Sequence, residues 1–114
     1  MEISYFGFNV QQKGECVTFS SAPGTGASLV ANGFSASADN KHFCVTMKID
    51  GTDDSDTLKI VFNNTYKCAL PIMKGVMYRY EVTVPSNVGE IKEITVAPSS
   101  KECMITVKEL EISQ

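Results

Sequence analysis

Gly75-Val-Met-Tyr-Arg-Tyr-Glu-Val-Thr-Val-Pro85 is the stretch that decides how the chain is read. Val76, Tyr78, Tyr80, Val82 and Val84 share one parity, and Met77, Arg79, Glu81 and Thr83 share the other. An unbroken period of two, rich in β-branched and aromatic side chains, predicts a half-buried strand. Gly75 opens it. Pro85 closes it, because proline cannot donate to a ladder. The segment reads as a central strand whose apolar face, Tyr78 and Tyr80 included, helps build the core.

The same alternation recurs outward from it. Residues 42–49 turn Phe43, Val45, Met47 and Ile49 inward and His42, Cys44, Thr46 and Lys48 outward. Residues 57–66 turn Leu58, Ile60 and Phe62 inward and Lys59, Val61 and Asn63 outward. Residues 67–74 are a connection or a short strand holding Pro71. Residues 90–97 carry Ile94 and Val96 inward, and residues 15–20 carry Val17 and Phe19. In 103–112, Ile105 and Val107 share one parity and Leu110 and Ile112 the other, a slip that predicts a β-bulge near Lys108-Glu109. In 2–10, Ile3 and Tyr5 oppose Phe6, Phe8 and Val10, and a bulge near Gly7 would bring both sets to the core. Asn32-Gly33, between two short apolar pieces of 29–38, predicts a hairpin at a sheet edge.

No segment has a helical period and no repeat is present. Strands spaced by roughly 8–12 residues with turn signals between them describe an all-β sandwich or barrel. Eight or nine strands fit an antiparallel two-sheet β-sandwich of jelly-roll type, in one domain spanning 1–114.

Composition narrows the function classes. A net charge of −3 argues against nucleic acid, which needs clustered basic residues. No apolar run approaches the roughly 18 residues of a membrane span. The opening Met-Glu-Ile-Ser-Tyr-Phe lacks the basic and apolar regions of a signal peptide. The chain therefore reads as a module of a longer secreted or surface protein, beside other domains of that parent, or as a cytoplasmic protein. The cysteines at 16, 44, 68 and 103 have no Cys-x-x-Cys spacing, so no zinc site is expected. They read as thiols packing like small hydrophobes, with the possible pairings left open.

Three pieces carry a family resemblance: LKIVFNN at 58–64, GVMYRYEVTVP at 75–85 and CMITVKELEI at 103–112. Their strand grammar resembles the jelly-roll, galactose-binding-like carbohydrate-binding modules of bacterial polysaccharide-degrading enzymes and surface proteins. The resemblance covers roughly the last 70 residues. It implies a non-catalytic module that binds a polysaccharide or glycan outside the cell. Such modules often stack sugars on exposed tryptophan, whereas this chain has no Trp and its parity assigns Tyr78 and Tyr80 to the core. They also often hold a structural calcium. The carboxylates Asp50, Asp53, Asp54 and Asp56 are oxygen ligands of the kind calcium takes, but they lack the glycine and glutamate of the helix-loop-helix motif. An ordinary solvated acidic turn has the same composition.

The residues themselves nominate a site. If the middle strands share a sheet, His42, Lys48, Lys59, Asn63, Arg79 and Glu81 lie on one polar face, with Thr46 and Thr83 beside them. Directional donors and acceptors of this kind suit sugar hydroxyls. A wet face of an antiparallel sheet has the same composition. Tyr66, Tyr5 and Phe34, near predicted strand ends, are candidate stacking platforms. Gly24-Thr-Gly26 lacks the Lys-Ser/Thr pair of a phosphate loop. With one His and no nucleophile–base signature, the chain is read as a non-enzyme. Asn63-Asn64-Thr65 matches the N-glycosylation acceptor pattern. The alternative to glycan binding is a structural or protein-interaction sandwich, such as an adhesin spacer or an enzyme accessory domain.

Overall fold

A computed structural model describes residues 1–37, 41–53 and 55–113. Twelve strands follow in chain order among them: β1 (Glu2–Phe6), β2 (Phe8–Lys13), β3 (Cys16–Ser20), β4 (Ser28–Asn32), β5 (Ala36–Ser37), β6 (His42–Asp50), β7 (Thr57–Phe62), β8 (Tyr66–Pro71), β9 (Tyr78–Thr83), β10 (Glu90–Ile91), β11 (Ile94–Pro98) and β12 (Met104–Ser113). A single 3-10 turn at Ser86–Val88 precedes β10. Two antiparallel five-stranded sheets, ordered β1-β4-β11-β7-β8 and β2-β3-β12-β6-β9, make an all-β sandwich. The additional strands beyond eight or nine come from splitting 2–10 and 90–97 and from the short β5.

The topology is a set of nested pairs. β7 pairs with β8, β6 with β9, β4 with β11 and β3 with β12. This is one long hairpin of four double strands, folded over so that its layers alternate between the sheets. Ladders β6·β12 and β7·β11 then join the layers. The nested pairing is that of an eight-stranded jelly roll. Its innermost turn is Phe62-Asn63-Asn64-Thr65, closed by Thr65 N–H to Phe62 O at 3.0 Å. Both asparagines have positive φ, 54° and 59°, a conformation Asn tolerates better than most residues.

The inward parity of each strand supplies the core. Leu29, Phe43, Met47, Ile49, Leu58, Ile60, Phe62, Ile94, Val96 and Ile105 are fully buried. Phe43 and Phe62, from opposite sheets, meet edge to face with centroids 5.8 Å apart. The bulge in β12 lies between Val107 and Glu109, and it lets Leu110 and Ile112 pack against the same core. Ile91, in the two-residue ladder β5·β10, joins them.

Three expectations are corrected. Residues 2–10 are not one bulged strand: β1 lies in one sheet and β2 in the other, and the chain crosses between them at Gly7. Phe6, Phe8 and Val10 are accordingly exposed instead of buried. The Asn32-Gly33 turn makes no hairpin, because β4 pairs with β1 and β11 while β5 pairs with β10; Ala38 of that segment lies outside the described residues. β9 is the edge strand of its sheet, not a central one. Its parity holds for Tyr80, Val82 and Val84, which are buried, but Val76 precedes the strand and Tyr78 begins it, and both are exposed.

Candidate functional site

The predicted polar residues fall into two groups on opposite faces of the molecule. His42, Lys48, Arg79 and Glu81 belong to β6 and β9; Lys59 belongs to β7, Tyr66 to β8, and Asn63 to the turn between these two, in the other sheet. A single polar surface of all seven is therefore not formed.

On the β6–β9 sheet, pairing sets the outward residues in rows. Glu81, Cys44 and Glu111 stand opposite one another, as do Arg79, Thr46 and Glu109. Arg79 draws these rows together. Its Nε donates to Glu81 Oε1 at 2.8 Å and its Nη2 to Glu111 Oε1 at 2.7 Å, while Nη1 lies 3.9 Å from Glu109 Oε1. The hydrogen bonds that Arg79 donates to Glu81 and Glu111 push the guanidinium pKa still higher, and the first of them holds the Glu81 carboxyl below the usual range. Three carboxylates share one cation, so this patch carries surplus negative charge. At the margins, Lys48 pairs with Asp50 at 3.8 Å, and His42 Nδ1 lies 3.2 Å from Thr83 Oγ1.

In the other sheet, Lys59 is exposed between Ala97 and Ala69. Asn63 is committed to the fold. Its Nδ2 donates to Glu90 O, and its Oδ1 accepts from Lys92 N–H and Glu93 N–H. Both ends of the amide hold the 90–93 segment in place, and the same residues, Asn63, Asn64, Glu90, Lys92 and Glu93, line a shallow depression there. Tyr66 lies beside Phe62, with centroids 6.2 Å apart and its ring partly exposed.

A concave feature that parity alone did not reveal lies where the two sheets part. β8 and β9 are the edge strands on the same side of the sandwich, and between them runs a groove of about 240 Å³. Leu70, Pro71 and Met73 line one wall, and β9 from Tyr78 to Glu81 lines the other. Tyr78 is 43% exposed and meets Tyr80 at 4.9 Å with the rings 63° apart. Tyr80 is buried, and its hydroxyl accepts the Met73 N–H at 3.0 Å. Burial pushes its phenol pKa up. Gly75 N–H to Ile49 O, at 2.9 Å, anchors the loop again. Exposed Met73, Val76 and Met77 precede Tyr78 in sequence. Tyr78 was missed because its parity matches the core; its place at the first residue of an edge strand is what exposes it.

The acidic turn caps itself: Asp56 Oδ2 accepts the Asp53 N–H at 2.6 Å and Asp56 N–H donates to Asp53 O. Asp54 lies outside the described residues. Among the described residues, no group of three or more His, Cys, Asp and Glu side chains is placed to hold a metal ion. Cys16, Cys44, Cys68 and Cys103 are all free thiols. No protein-family model matches the chain, and no curated protein matches its sequence.

Proposed function

We propose that the protein is a non-catalytic carbohydrate-binding module whose ligand lies in the groove between β8 and β9. One observation carries the reading: Tyr78 presents an exposed ring at a concave site that also offers polar groups. Sugar rings have apolar C–H faces that pack on aromatic rings, and their hydroxyls need directional partners. The absence of tryptophan does not weigh against this reading once a tyrosine ring is available. The module would serve a larger secreted or surface protein by holding it on its glycan.

The test is a glycan array on the purified chain, with and without calcium, repeated on Tyr78→Ala. Binding by the parent and a roughly tenfold loss in the variant support the site. A parent that binds no plant, microbial or host glycan overturns it. A second reading, a protein-interaction sandwich, rests on a different feature. Met73, Val76, Met77 and Tyr78 form an exposed apolar run within six residues, the kind of surface that protein partners cover.

A further inference from the structure

Resting on the carbohydrate reading, we infer that the groove selects a neutral pyranose and that the Tyr80 hydroxyl is the specificity-determining donor. A phenol both donates and accepts. The Tyr80 oxygen accepts the Met73 N–H, which leaves its O–H as the donor side of the phenol. A ligand oxygen that reaches this O–H accepts a directed hydrogen bond from it in exchange for one to water. Tyr80 lines the groove beside exposed Tyr78, with the two rings 4.9 Å apart. One ring therefore offers a stacking face, and the other offers a single directed donor. Together they read both the apolar face of a sugar and the position of one oxygen on it.

Charge fixes the class. Arg79 is the cation on this stretch of β9, and Glu81, Glu111 and Glu109 already engage it. It does not stand ready to clamp a carboxylate or sulfate, and the surplus carboxylates repel one. Discrimination built from repulsion excludes uronate-containing and sulfated glycans in favour of neutral ones.

The test uses the whole chain and isothermal titration with named probes: cellohexaose, xylohexaose, mannohexaose and galactohexaose as neutral ligands, oligogalacturonate and a heparin hexasaccharide as anionic ones. Neutral ligands alone should bind. Tyr80→Phe, which keeps the ring, should weaken the best of them about tenfold. A purely structural loss would weaken every ligand alike. The inference therefore also requires that a monodeoxy analogue which loses affinity for the parent lose none further for Tyr80→Phe. Binding of an anionic probe overturns the neutral class. Unchanged binding by Tyr80→Phe, with Tyr78→Ala impaired, overturns the role of Tyr80 and leaves the groove standing. No binding by any probe, in agreement with a blank array, overturns the carbohydrate reading and this inference with it.

Discussion

Arg79 Nη2 lies 3.3 Å from Cys44 Sγ, and this contact accounts for a thiol that is only 3% exposed on the outward side of a sheet. Cys44 has the parity of His42 and Thr46, so its strand position alone would leave it open to solvent. The guanidinium, held by Glu81 and Glu111 on either side, forms a roof over it.

Arg79→Ala should therefore speed alkylation of Cys44 about tenfold or more, because modification no longer waits for the roof to open. Burial is the main cause raising the Cys44 pKa, and Arg79 opposes it. Arg79→Met, which keeps cover and removes the charge, should raise that pKa further and leave labelling slow. Peptide-resolved alkylation kinetics against pH separate the two effects. Equal rates in parent and Arg79→Ala would mean that the roof does not protect the thiol.

Gly7→Ala should destabilise the fold by about 1–3 kcal/mol. A Cβ there would stand 2.4 Å from Ser20 O and 2.8 Å from Phe19 Cδ2, and the first of these is backbone that cannot rotate aside. Urea denaturation with an unchanged m-value measures the cost.

Asn63→Ala should cost about 3 kcal/mol. It removes three hydrogen bonds to the 90–93 segment, each worth roughly 0.5–1.5 kcal/mol, and puts a Cβ-bearing residue with no polar group into left-handed backbone at φ 54°. Thermal unfolding reads the loss. Glycan binding at the distant groove should survive at temperatures where the variant is folded. Abolished binding by folded Asn63→Ala would return this residue to the ligand site.

Acid should weaken the β9 edge in a defined direction. Glu81 has its pKa lowered from 4.5, first by the hydrogen bond from Arg79, so folding favours the ionised form. Its contribution is fully present above pH 4.5 and is lost as pH falls through the depressed folded value. Glu81→Gln should flatten the stability–pH profile below pH 4.5 relative to the parent. An unaltered acid limb would show that Arg79 is satisfied by its other carboxylates alone.

The fold was legible because period-two alternation directly records which side of a strand is buried. That record is faithful in the middle of the sheets, at Phe43–Ile49 and Leu58–Phe62, and even the β12 bulge shows as a slip in parity. It fails at edges and crossings. Tyr78 and Val76 continue the parity of Tyr80, but parity carries no information about whether a second sheet lies above a residue. Phe6 and Phe8 belong to different sheets because Gly7 turns the chain, a long-range event decided by the pairing of β1 with β4 and β2 with β3. The candidate site was partly legible for the same reason. Arg79 and Glu81 were identifiable as outward on one strand, whereas the separation of Lys59 and Asn63 onto the far sheet depends on strand order, which local pattern does not encode.

The nested pairing also sets a timetable. β7 and β8 are neighbours in sequence and can zip early, whereas β3 must wait for β12, made some 85 residues later, and β6 must wait for the same strand. Closing such long loops before their contacts reward them makes folding slow. On a ribosome, the fully paired sheet containing β12 cannot exist until that strand has left the exit tunnel. Until then, β6 stands open along one side and offers an apolar strand to chaperones, or to any other nascent chain within reach.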